Sequence, residues 1–194
     1  MAVYHRQQEL AWIEDQVEHV EAALGEVGAH ARPERVPAMC FLDLAGYTRL
    51  TEEQGDQAAA ELAGTLAVLV ERSSRAHGGT PVKWLGDGVM LYFRRPAEAV
   101  EAALGMVGEV PEAGLPPAHV GVAAGPVVVQ GGDYFGRTVN LASRVAARAD
   151  AGQVLVTATV AEAPSPDGVV YADLGAFELK GFAAPVRVLE ARRA

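Results

Sequence analysis

The chain has 194 residues, half of them hydrophobic, and a net charge of −9. That size suits one ordinary domain with a short appendage, and the acidic balance argues against a general nucleic-acid binder, which needs a basic face to neutralise phosphates. No apolar run reaches the length of a membrane span and the N-terminus lacks the basic-then-apolar pattern of a signal peptide. Cys40 is the only cysteine, so no intrachain disulfide can form, and a cytoplasmic protein is the expectation.

The charge is unevenly placed. Residues 1–30 hold six acids and one arginine, which leaves the remainder close to balanced and open to a small anionic ligand. Fourteen arginines stand against two lysines, Lys83 and Lys180, and Asn140 is the single asparagine. Lys and Arg differ in shape and donor geometry, so a retained lysine in such a chain marks a place worth inspecting.

In residues 1–30, Val3, Leu10, Val17 and Leu24 alternate with Ile13, Val20 and Val27 at spacings of three and four. This is the seam of a short coiled coil, or of an amphipathic helix packed on its own domain. Glu9, Glu14 and Glu21 flank the seam and would weaken a parallel pair. Residues 31–37 read as a linker around Pro33 and Pro37, and residues 38–194 as the folded domain.

Within that domain Ala38–Leu44 predicts a buried strand ending in a turn at Gly46. Asp56 is the expected N-cap of a helix to about His77, stopped by Gly78-Gly79. Pro81–Leu85 and Val89–Phe93 predict a hairpin closed by Gly86-Asp87-Gly88. A helix over Ala97–Val110 follows, then strands Val120–Ala124 and Val127–Gln130, a helix Thr138–Ala149, and a strand Val154–Thr157. Short strands near Val169–Asp173, Phe177–Lys180 and Val186–Glu190 complete the chain. The order predicts an α/β (α+β) fold: a ferredoxin-like βαββαβ core with extra C-terminal strands.

Three stretches carry polar groups placed for chemistry. Asp43 closes the first strand just before the Gly46 turn. A carboxylate there suits a cation, and the amides of Gly46, Tyr47 and Thr48 at a helix N-terminus suit phosphate oxygens; capping the helix is the alternative role for Asp43. Asp87 sits at the hairpin tip, where it is either an ordinary turn former or a second carboxylate beside the first strand. Asn140 and Arg144, four residues apart, share one helix face, either as a sugar and phosphoryl contact or as a solvated surface.

Taken together, Phe41-x-Asp43-x-x-Gly46-Tyr47-Thr48, Lys83-x-x-Gly86-Asp87-x-x-x-x-x-Phe93 and Asp133-x-x-Gly136-x-x-Val139-Asn140-x-Ala142-x-Arg144 resemble the signature of class III adenylyl and guanylyl cyclases. The resemblance runs from about Val36 to Leu189, and the run Leu179-Lys180-Gly181 is also like bacterial members. It implies that Asp43 and Asp87, with Leu44, hold two Mg²⁺ or Mn²⁺ ions per active site. Asn140 would orient the ribose, Arg144 would offset transition-state charge, and Lys180 would contact the outer phosphates.

The resemblance makes Lys83 and Asp133 the pair that reads the base. Adenine offers a donor at its 6-amino group and an acceptor at N1, which a carboxylate and an ammonium complement. Guanine offers the reverse, and guanylyl members carry Glu and Cys at these positions, so this chain reads adenine. Gln153 departs from the family, since some animal members carry an arginine near the phosphates there.

Because the family builds each site from two subunits, the resemblance implies a homodimer with two shared sites that converts ATP to 3′,5′-cyclic AMP and pyrophosphate. An upstream regulatory domain is a candidate partner, acting through the heptad helix. The rival readings are a guanylyl cyclase and a non-catalytic module for dimerisation or nucleotide sensing. The five histidines, at 5, 19, 30, 77 and 119, show no ligand spacing and predict no zinc site. Trp12 and Trp84 read as packing groups.

Overall fold

The computed structural model describes residues 36–194, so the heptad segment of residues 1–30 lies outside the described residues, with all but the end of the linker. A seven-stranded sheet runs in the order β2-β3-β1-β4-β7-β9-β8. Its strands are β1 (Ala38–Leu44), β2 (Thr80–Leu85), β3 (Gly88–Phe93), β4 (Ala118–Ala124), β7 (Val154–Thr157), β8 (Val169–Phe177) and β9 (Val186–Arg193). A separate two-stranded ribbon pairs β5 (Val128–Gln130) with β6 (Asp133–Phe135). The helices are α1 (Tyr47–Ala76), α2 (Pro96–Glu112), α3 (Arg137–Ala146) and the short α4 (Ala158–Ala161).

The first six elements, β1-α1-β2-β3-α2-β4, form the ferredoxin-like core with sheet order β2-β3-β1-β4. Strand β1 is central, antiparallel to both β3 and β4. Its continuous apolar run follows from burial on both faces. Ala38, Cys40, Leu42 and Leu44 pack with Leu66, Leu69 and Val70 of α1 and with Val100 and Met106 of α2. Met39 faces the other way, into a second cluster with Met90, Ala123 and the α3 residues Leu141, Ala142 and Val145. Asp43 has the parity of Met39, so it emerges at the strand end on the α3 face.

Local structure departs from the sequence expectations in four places. Helix α1 begins at Tyr47 rather than Asp56: Gly46, at φ 78°, makes the tight turn that launches it directly from β1. Gly55, at φ 82° and ψ 170°, then interrupts it just before Asp56, so the expected start is the resumption of the helix after a break. Residues around Val127–Gln130 leave the main sheet to pair with β6, a strand that short polar-aromatic composition concealed. The strand expected at 169–173 runs on to Phe177 as β8, with a register shift between Asp173 and Gly175, and the strand expected at 177–180 does not form, which leaves Lys180 in a turn. Helix α3 ends at Ala146 instead of Ala149. Among the described residues no helix is long and apolar enough to cross a membrane.

Candidate active site

The carboxylates lie at one end of the sheet. Asp43 pairs in register with His119 across β1 and β4, and its Oδ2 is 3.9 Å from His119 Nε2. His119 Nδ1 lies 3.0 Å from the Ala146 carbonyl at the end of α3, to which it donates. On the opposite side a Cβ at Gly88 would stand 3.0 Å from Asp43 Oδ1, so the hairpin's second glycine leaves this carboxylate its room. The Asp43 carboxyl is held above its usual range, first by burial and then by the nearby charge of Asp87, with His119 and a hydrogen bond from the Leu44 backbone acting the other way.

Two mutually repelling carboxylates at strand ends are a donor set that fits a divalent cation. Among the described residues no group of three or more His, Cys, Asp or Glu side chains gathers to form a closed cage. That pattern matches magnesium-type binding, in which one or two carboxylates act with water and substrate phosphates. The Leu44 carbonyl is the neighbouring backbone oxygen. Beyond it the Gly46 turn opens into α1, whose first amides have no acceptor within the helix. The Tyr47 hydroxyl donates to the Ala59 carbonyl at 2.8 Å, which ties the first segment of α1 across the Gly55 break. What Tyr47 can offer a phosphate is therefore its amide.

The second group of residues assembles at the β2 edge and along α3. Lys83 Nζ donates to Asp133 Oδ2 at 2.5 Å, and this hydrogen bond holds the Asp133 carboxyl below its usual range. Two features bring the pair together across fifty residues. A register shift between Pro81 and Lys83 turns Val82 into the α3-side cluster and re-aims Lys83. Tyr134 stacks on Tyr92 with ring centroids 4.9 Å apart, which anchors the ribbon carrying Asp133 beside β3.

Helix α3 packs tightly on β4 because Gly121 has no side chain there: a Cβ would meet the Ala146 nitrogen at 2.1 Å. Leu141, Ala142, Val145 and Ala146 are buried, so Asn140 and Arg144 point away from the sheet and are exposed. Neither side chain has a hydrogen bond or ion pair among the described residues, and none links them to Asp43 or Asp87. Lys180 is exposed on the loop after β8, beside a hollow of about 460 Å³ bordered by Glu178, Phe182 and Pro185. Gln153 is engaged in a turn, its Oε1 accepting from the Asp150 amide at 2.8 Å.

Each chain thus brings together Asp43 with Asp87, Lys83 with Asp133, and Asn140 with Arg144. Sequence reasoning passed over His119, Gly88 and the Val82 bulge. The signal for His119 exists only in the β1–β4 register, which places it opposite Asp43.

Comparison with known proteins shows the family. The family described as "Adenylate and Guanylate cyclase catalytic domain" matches residues 30–189. A pH-sensitive adenylate cyclase of Mycobacterium tuberculosis is 36% identical over 183 residues, 92% of this chain and 46% of that protein. An adenylate cyclase of Streptomyces coelicolor is 38% identical over 126 residues, 64% of this chain and 33% of that protein. The adenylyl cyclase CyaB from P. aeruginosa superposes with a TM-score of 0.72 at 23% identity, covering 82% of this chain and 94% of that one.

The chain therefore belongs to the adenylate and guanylate cyclase catalytic domain family. It spans less than half the length of the curated relatives it matches.

Proposed function

We propose that this domain is an adenylyl cyclase that converts ATP to 3′,5′-cyclic AMP and pyrophosphate at two equivalent sites between two copies of the chain. The observation that carries the reading is the Lys83–Asp133 pair, held within one chain at 2.5 Å. An ammonium that donates to N1 and a carboxylate that accepts from the 6-amino group match adenine and oppose guanine. A site built on such hydrogen bonds rejects the mismatched base by up to about 10⁴.

Asn140 orients the ribose so that its 3′-oxygen faces the α-phosphorus, a positioning contribution. The 3′-hydroxyl loses its proton, its oxygen bonds to the α-phosphorus, and the bond to the bridging oxygen breaks as pyrophosphate leaves. Arg144 offsets the charge that builds on the α-phosphoryl oxygens, a contribution of about 10²–10³ in rate. Amides of Gly46, Tyr47 and Thr48, with Lys180, receive the outer phosphates. Asp43, Asp87 and the Leu44 carbonyl would hold two Mg²⁺ or Mn²⁺ ions, which supply acidification of the 3′-hydroxyl and neutralisation of the triphosphate.

The shared site is supported by the outward direction of Asn140 and Arg144, whose side chains have no hydrogen bond or ion pair to Asp43 or Asp87 of their own chain. Two-fold symmetry then completes both sites at once.

The test is a mass-spectrometric product assay with ATP and GTP, applied to the wild type and to an equimolar mixture of Asp43→Ala and Arg144→Ala. Cyclic AMP from ATP is expected from the wild type. Each variant alone should be nearly inactive, and random re-pairing should restore about a quarter of wild-type activity, because half of the dimers carry one intact site of two. Cyclic GMP as the product would overturn the base reading. No cyclic product from folded dimer would leave a nucleotide-binding module, and a mixture as inactive as its components would place the site within one chain.

A further inference from the structure

We infer that Arg148 is a further triphosphate-binding residue, an inference that rests on the adenylyl cyclase reading of the α3 surface. Asn140, Arg144 and Arg148 follow one another at intervals of four. The helical path continues past Ala146, with the Ala147 amide donating to Ser143 at 3.0 Å and the Arg148 amide to Val145 at 3.1 Å. Arg148 therefore follows Arg144 one turn on, on the side opposite the buried Leu141, Ala142, Val145 and Ala146.

The guanidinium of Arg148 is held but not neutralised. Its carbon lies 4.8 Å from the centre of the Phe177 ring, and Phe177 itself packs into the α3-side cluster. This cation–π contact steadies the group while leaving N–H donors available to an anion. Other arginines in the fold are tied to acids: Arg72 to Glu109, Arg95 to Glu98, Arg187 to Asp173 and Arg193 to Glu101. Arg148 is exposed and has no carboxylate partner among the described residues.

Phe177 also begins the loop that carries Lys180, and Phe182 on the far side of that loop lies under Arg137, 5.1 Å from ring centre to guanidinium carbon. The loop that carries Lys180 is thereby fastened to α3 near its start, through Arg137, and just past its end, through Arg148. Glu178 and Asp150 are the acids of these segments, so the Arg144–Arg148 row keeps an excess of positive charge. Gln153 is occupied with the Asp150 turn. Arg148 supplies a cation from the turn that follows α3, as a planar fork suited to phosphate oxygens.

The test measures binding of inorganic tripolyphosphate and of AMP to the full chain by calorimetry, with ATP KM alongside. In Arg148→Met the stem still packs on Phe177 but the charge is gone; Arg148→Lys keeps charge without the fork. The expected result is a tripolyphosphate Kd about tenfold weaker in Arg148→Met, with a parallel rise in ATP KM, unchanged AMP affinity and unchanged melting temperature. Arg148→Lys should fall between it and wild type, and Arg187→Met should match wild type. A tripolyphosphate Kd within about twofold of wild type in Arg148→Met, or equal weakening of AMP, overturns the inference. A chain that makes no cyclic nucleotide yet loses tripolyphosphate affinity in Arg148→Met would refute the catalytic reading and keep this one.

Discussion

Gly121→Ala tests the joint that positions helix α3, which carries Asn140 and Arg144. A Cβ at this position would stand 2.1 Å from the Ala146 nitrogen, 2.6 Å from the Ala142 carbonyl oxygen and 2.6 Å from the Ala146 Cα, whereas ordinary contact begins at 3.4 Å. All three atoms are backbone, so no side chain can swing aside. Helix α3 must move off β4 by about 1 Å, or the strand must bend. Overpacking of a tight core costs about 1–3 kcal/mol, and with no side-chain escape the upper value applies. For a domain of this size each kcal/mol lowers Tm by about 2–4 °C, so a fall of about 6–12 °C is expected. The same displacement moves Asn140 and Arg144, and an error of about 1 Å at such groups costs about 10²-fold in kcat. Thermal melts and the cyclase assay measure both. Gly108→Ala is the matched control: it lies inside α2 with nothing within 4 Å of the added atom, and should stabilise by about 0.5–1 kcal/mol without touching activity. A Gly121→Ala protein melting within about 2 °C of wild type, with activity within about threefold, would refute the close packing of α3 on β4.

Two further predictions concern titrating groups. Burial pushes the Cys40 thiol up to about 12, so the native protein at pH 8 should not react with a thiol-specific chromogen, and labelling should follow the unfolding rate; stoichiometric labelling within seconds would contradict the placement of β1. Asp133 is held below its usual range by the Lys83 hydrogen bond, so its stabilisation is present above the unfolded carboxylate value and lost as pH falls through the lower folded one. Lys83 is half exposed, at 51%, and screening limits the effect to at most about 1 kcal/mol. Urea melts should show Asp133→Asn less stable than wild type at pH 7, with the gap closing as pH falls below the ordinary carboxylate range; a gap that does not change with pH would sink the ion-pair account.

Strand and helix order were legible because each element carries its own periodicity. Ala38–Leu44 reads as a doubly buried strand, Val154–Thr157 matches its predicted span residue for residue, and βαββαβ order is enough to specify the ferredoxin-like core. Errors fell where local signal is weak. The Thr48–Gln54 stretch is polar and lacks an apolar stripe, so the helix N-terminus expected at Gly46–Thr48 rested on the glycine turn alone, and the periodic pattern set in only near Asp56. Strand β6 is three residues long and exists only through its pairing with β5, an interaction that composition does not encode.

The sequence by itself determined which groups the candidate site offers, because carboxylates, an amide, a guanidinium and an ammonium at fixed spacings limit what a surface can bind. It could not determine which of them meet. The Lys83–Asp133 bond spans fifty residues and depends on a bulge and a tyrosine stack. The juxtaposition of Asp43 with His119 depends on strand register, and the outward aim of Asn140 and Arg144 depends on a glycine at position 121 bringing α3 down onto the sheet. Those are non-local relations. Side-chain direction is set by the packing of one element on another, and packing is a property of the folded whole.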